Sequence, residues 1–169
     1  MEGGRTQTGA GARAETEYVI EPGTHEMVLT RVLNAPLELV FKACTDPELV
    51  ARWWGPRRLT STIEALDVRP GGSWRIVQRD AIGNVYGFHG VFHDVVAPHR
   101  LVQTFEFEGA PGHVALQTST FEETGGKTKL VRHSVFQSVA DRDAMVSSGM
   151  RSGADESYER LEELLRDMA

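Results

Sequence analysis

Apolar residues recur along this chain with two different periods, and the switches between them mark out its elements. From His25 to Asn34 they alternate, with Met27, Leu29 and Leu33 on one side and Val28 and Val32 on the other, which predicts a strand. From Ala35 to Trp54 the period lengthens. Leu37, Val40, Phe41 and Cys44 fall at i, i+3, i+4 and i+7, and Leu49, Val50 and Trp53 form a second, shorter stripe. Two consecutive amphipathic helices are predicted. Pro36 opens the first, where a missing amide hydrogen costs nothing, and Glu38 meets the positive end of the helix dipole. Asp46 is the predicted N-cap of the second with Pro47 just inside it, and Gly55-Pro56 ends it.

Alternation then resumes. Strands are predicted at Ser61–Val68, Ser73–Arg79, Val85–Val96, Leu101–Glu108, His113–Glu122 and Lys127–Gln137, with turn residues from Arg69 to Gly72, Asp80 to Asn84, Gly109 to Gly112 and Thr124 to Gly126. In the last segment Ser138 is a predicted N-cap with Asp141 three residues on. From Met145 through Gly149, Met150, Gly153, Ser157, Leu161, Leu164, Leu165 and Met168 the spacing is helical, and one long helix is expected. The pattern gives an α+β chain: an antiparallel sheet with one face to bury, and a single predicted element long enough to cover it.

Composition narrows the class. With 169 residues, 40% of them hydrophobic, the chain is long enough for one domain with a real core. Residues 21–169 are expected to form it, and the small, polar, glycine-rich residues 1–20 to be a disordered tail. A net charge of −6 argues against a nucleic-acid partner. No apolar run is long enough to span a bilayer, so no membrane association is expected. The single cysteine rules out an internal disulfide and makes a cytoplasmic setting the default.

The runs APLELVFKACTDPELVARWWGPR, DVRPGGSWRI and FHGVFHDVVAPHRLVQTF, with SSGMRSGADESYERLEELL near the end, resemble the heat-shock-protein ATPase-activator-homologue family. That family belongs to the START-type, birch-allergen-like superfamily. The resemblance spans residue 25 to the C-terminus. It implies a helix-grip fold, a curved sheet around the long C-terminal helix, with an elongated apolar cavity between them. Lipids, sterols, polyketides and hormones occupy that cavity in the wider superfamily. Fold does not fix function, and the co-chaperone role in the family's name is not inherited with it.

Three readings follow: a small-molecule binding module, a polyketide cyclase or aromatase-like enzyme, and a chaperone-regulating interaction protein. For the first, Trp74, Ile76 and Gln78 share a strand face, as do Phe88 and Phe92, and Phe105 and Phe107 with Leu101. Such a surface suits a hydrophobic or aromatic ligand oriented by Gln78, and equally an ordinary filled core. Trp54 is a candidate for a cavity entrance, with Arg57 or Arg58 stacking on it or meeting an acidic ligand group; a structural aromatic corner is the plainer reading. Met145, Gly149, Met150 and Gly153 complete the candidate binding set. Each glycine inside a helix costs about 1 kcal/mol relative to alanine, so either the helix approaches the sheet closely there or space is being kept open.

For catalysis, Gln78, Tyr86, His89, Thr104 and Glu106 are the acid–base candidates, and no spacing rule selects among them. Cys44 lies in an apolar stripe, where a thiol behaves as a small hydrophobe. His89 and His93 share a strand face but are separated by roughly 13 Å of strand, too far for one ion. No metal site and no cofactor are expected. A homodimer is a mild expectation.

Overall fold

The computed structural model describes residues 15–169. Eight strands, β1 (Glu17–Val19), β2 (Glu26–Leu33), β3 (Thr60–Leu66), β4 (Ser73–Arg79), β5 (Val85–Val96), β6 (Arg100–Phe107), β7 (Val114–Thr124) and β8 (Lys127–Val135), form one antiparallel sheet. Their order is β1-β2-β8-β7-β6-β5-β4-β3. Helices α1 (Leu37–Thr45) and α2 (Pro47–Trp53) follow β2, and α3 (Val139–Ser147) and α4 (Met150–Met168) close the chain. This is the expected helix-grip arrangement, a curved open sheet with the C-terminal helix across it.

The helix pair is built as its pattern dictates. Pro36 is the N-cap of α1, and Leu37, Val40 and Ala43 are buried. The Asp46 side chain accepts the Glu48 amide as the cap of α2, and Val50 and Trp53 point inward. The Trp53 indole donates to the Ala43 carbonyl at 2.9 Å, which ties the helices together and satisfies a buried donor.

Two expectations need correction. The C-terminal segment is two helices. The Ser138 cap with Asp141 starts α3 as predicted, but Gly149 has φ +84°, a left-handed conformation that ends one helix and turns the chain into the next. The spacing of apolar residues continues across the break, which is why the pattern reads as unbroken. The first strand also lies inside the stretch expected to be tail. Tyr18 lies in β1, pairs with Leu29 and donates its hydroxyl to Asp155 at 2.8 Å, fastening the strand to α4. Residues 1–14 lie outside the described part of the chain.

The concave face of the sheet carries the core: Leu29, Leu33, Trp74, Ile76, Phe92, Leu101, Phe121 and Leu130 against Tyr158, Leu161, Leu164 and Leu165 of α4. A bulge between Phe92 and Asp94 shifts the alternation, so that Val95 rather than Asp94 continues this face. Arg31 sits in the same inward row as Leu29 and Leu33. It is buried, pairs with Glu162 at 3.2 Å and donates to Thr16.

The opposite face carries an ion network that spans β3, β4, β5 and the residue just after β6. Arg75 pairs with Glu64 and with Glu108, and Glu108 also lies 3.0 Å from His89 Nδ1. The Arg75 guanidinium first, then the His89 contact, hold the Glu108 carboxyl at about 2. A depressed folded-state value means that the stabilisation is fully present above the usual carboxylate range and is lost as pH falls through that range toward 2. The melting temperature is therefore expected to fall over this acid window, and Glu108→Gln to flatten the fall. An identical acid profile for the variant would show that this network does not contribute.

Candidate functional site

Where α4 and the loop after α2 lie over the aromatic part of the sheet, side chains do not fill the space. A cavity of about 600 Å³ remains, lined on the sheet side by Phe88, Phe105 and Phe107 and on the helix side by Met145, Met150 and Gly153. The three phenylalanines form one continuous wall. Phe88 has Phe105 at 5.7 Å and Phe107 at 5.2 Å between ring centroids, and Trp54 meets Phe88 edge-on at 5.1 Å. The register explains the wall, because Phe88 pairs directly with Phe107 across the β5–β6 ladder.

Of the residues singled out from the sequence, Trp54, Gln78, Phe88, Phe105, Phe107, Met145, Gly149, Met150 and Gly153 all border this cavity. Trp74, Ile76 and Phe92 do not. Each is only 3% exposed and belongs to the packed core beside it. The period-2 pattern places them on the correct face, but the cavity occupies only part of that face. The Trp74 indole donates to the Thr104 carbonyl at 3.1 Å rather than facing open space.

The two glycines have separate reasons. Gly149 is required by its backbone conformation. At Gly153 a Cβ would meet no atom within 4 Å, so its missing side chain opens onto the cavity and does not serve close packing. Gly55, with φ +93°, lets the Gln78 carboxamide pass where a side chain would collide with it. Gln78 is 3% exposed and donates to Ser61 Oγ at 3.3 Å; among the described residues its carbonyl oxygen has no hydrogen-bond partner. Its carboxamide therefore offers an acceptor at the cavity wall. The Gly55 amide donates to Ser157 Oγ at 2.8 Å, and Ser157 donates to the Gly153 carbonyl at 2.9 Å, fixing the loop to α4.

At the mouth, Arg57 is engaged by Glu163 and does not stack on Trp54, whereas Arg58 borders the opening. His113 and Asp141 meet there at 2.8 Å. Among the acid–base candidates, Gln78 and Tyr86 border the cavity. His89 and Glu106 lie on the other face of the sheet, 3.8 Å apart, and the Thr104 hydroxyl accepts the Val91 amide on the strand beside it. Burial pushes the Cys44 thiol up to about 12, which makes it an inert hydrophobe at neutral pH. Among the described residues, no three His, Cys, Asp or Glu side chains come together as a metal-ligand set, and no helix is long and apolar enough to cross a membrane.

Tyr158, Phe136 and Gln117 also border the cavity and were not singled out from the sequence. Tyr158 stacks on Trp53 with centroids 6.3 Å apart. Its position three residues before Leu161 puts it on the inner stripe of α4, a signal that was available. Gln117 carries no such signal, since a polar residue in a strand is ordinarily read as facing solvent.

Solved structures share this architecture. A protein from Rhodobacter sphaeroides superimposes with a TM-score of 0.82 at 26% identity, covering 89% of this chain and 99% of that one. A protein from Nitrosomonas europaea gives 0.75 at 26%, covering 85% and 96%. CalU16 from Micromonospora echinospora gives 0.59 at 20%, covering 91% and 87%, a likeness of fold alone. No curated protein matches the chain. The model of one protein family, described as Activator of Hsp90 ATPase homolog 1-like protein, matches residues 34–166. With the helix pair, the sheet order and the closing helix all falling within or beside that span, the chain belongs to the Activator of Hsp90 ATPase homolog 1-like family.

Proposed function

We propose that this chain is a non-enzymatic binding protein that holds a small hydrophobic or aromatic molecule between its sheet and its C-terminal helix. The supporting observation is a cavity of about 600 Å³ walled by Phe88, Phe105 and Phe107 and kept open by Gly153. Small-molecule pockets of about 300–1,000 Å³ with apolar walls and a few polar groups are the general pattern. Gln78 supplies one polar contact beside the aromatic wall, and that wall favours planar ligands over spherical ones. The placement of His89, Thr104 and Glu106 away from the cavity weakens the cyclase reading.

The test is a thermal-shift screen of lipids, flavonoids and polyketide-like aromatics against the purified chain. A ligand present at a hundred times its Kd stabilises the folded state by about 2.7 kcal/mol, a shift of several degrees for a domain of this size. At least one aromatic class is expected to produce such a shift. A flat response across the whole panel would remove the proposal.

A further inference from the structure

We infer that the guest carries an O–H or N–H donor on its aromatic edge, and that the Gln78 carboxamide oxygen receives it. The inference rests on the binding reading above and adds the chemistry the guest has to present.

Gln78 lies on the concave face of β4, opposite Ser61 of β3 and Tyr86 of β5 in the sheet register. Gln78 and Tyr86 both border the cavity. Which end of a carboxamide faces a ligand depends on what holds the other end. The Ser61 hydroxyl donates its only proton to the Trp54 carbonyl at 2.7 Å. Its oxygen can then only accept, so the part of Gln78 that meets it at 3.3 Å is the amino end. The same nitrogen occupies the place a Cβ at position 55 would take, and the carboxamide oxygen stands back, 3.6 Å from that point. The oxygen is thus the open end. Among the described residues it has no hydrogen-bond partner, and it is not sealed in, although Gln78 as a whole is buried.

The polar groups of the seam beside it are committed elsewhere. Ser157 accepts from the Gly55 amide and donates to the Gly153 carbonyl. Arg160 donates to the Gly55 and Arg52 carbonyls. Both hold the loop to α4 and neither turns to Gln78.

The aromatic wall begins beside this oxygen. Phe88 pairs with Ile76, two residues before Gln78, which makes it the diagonal neighbour of Gln78 on the same face. Such neighbours lie about 7–8 Å apart. A planar guest stacked on Phe88, Phe105 and Phe107 therefore brings its edge to the carboxamide. In that position it excludes water from the oxygen. A bare C–H edge would leave a buried acceptor unpaired, a loss of roughly tenfold or more in affinity. An ether or ketone would set lone pair against lone pair. A phenolic hydroxyl or a ring N–H replaces the displaced hydrogen bond.

Equilibrium dialysis of the full chain against 2-naphthol and 2-methylnaphthalene tests this, because the two probes share a shape and only the first has a donor. Gln78→Met keeps the side-chain length and the Ser61–Trp54 bond and removes the acceptor. It is expected to bind 2-naphthol at least about tenfold more weakly than the wild type does, and 2-methylnaphthalene equally or more tightly. Comparing each probe between the two proteins cancels the difference in hydrophobicity between the probes. Gln78→Leu is expected to repeat the pattern. A smaller loss of 2-naphthol in both variants, or an equal loss of both probes, would overturn the role of Gln78 and leave the binding reading standing. So would a wild type that binds neither probe but binds a compound from the thermal-shift panel. A wild type that binds nothing at all would remove the binding reading and this inference with it. 2-Methoxynaphthalene supplies a measurement that needs no variant, since it keeps the oxygen and lacks the proton. It is expected to bind the wild type more weakly than 2-naphthol despite being the more hydrophobic, and equal or tighter binding would overturn the inference.

Discussion

Gly90→Ala is expected to lower the unfolding free energy by about 3 kcal/mol, at the upper end of what overpacking a closed interior costs. Gly90 is buried in the middle of β5, directly opposite Trp74 in the β4–β5 ladder. The Trp74 indole crosses over it to reach the Thr104 carbonyl on β6. A Cβ at position 90 would collide with that carbonyl oxygen, and would stand 2.7 Å from its carbon and 2.5 Å from Trp74 Nε1. One neighbour is backbone in a hydrogen-bonded sheet and the other is a buried, hydrogen-bonded ring, so neither can yield cheaply. Urea titration followed by circular dichroism measures the loss. A change of less than about 1 kcal/mol would mean that the sheet adjusts around this residue and that the close approach is not required.

Gly153→Phe is expected to have the opposite character. A helix-interior glycine replaced by almost any residue gains helix propensity, by up to about 1 kcal/mol. Here the new side chain enters open space, since nothing lies within 4 Å of its Cβ position. The melting temperature should hold or rise. Ligand binding should fall by at least about a hundredfold, because the phenyl ring would occupy the volume beside Phe88, Phe105 and Phe107. Calorimetry with whichever aromatic compound stabilises the wild type decides it. Undiminished binding by a folded variant would place the ligand somewhere other than beneath α4.

The contrast between Gly149 and Gly153 shows where sequence reasoning stops. Four residues apart, they read as one pair on one helix face. Only the left-handed backbone at Gly149 separates a hinge between two helices from a gap in a wall. Periodicity performed better on the strands. It placed Phe88, Phe105 and Phe107 on the inner face together with Trp74, Ile76 and Phe92, but how far α4 stands from the sheet at each point depends on the summed volumes of side chains from distant segments. That sum leaves the first three against open space and packs the last three solidly. Arg31 and Arg132 were overlooked for a simpler reason: a charge in a strand is assumed to face water, and here each occupies an inward position. The helix pair was legible almost in full because its start and stop signals are local.

The two margins of the sheet have a consequence for self-association. One is β1, three residues long; the other is β3, kinked where its pairing skips Glu64. Brief or irregular outermost strands offer a poor template for a neighbour's backbone amides. Lateral polymerisation through continued β-pairing is thereby discouraged, and a second copy of this chain would have to meet the first through side chains on its broad surfaces.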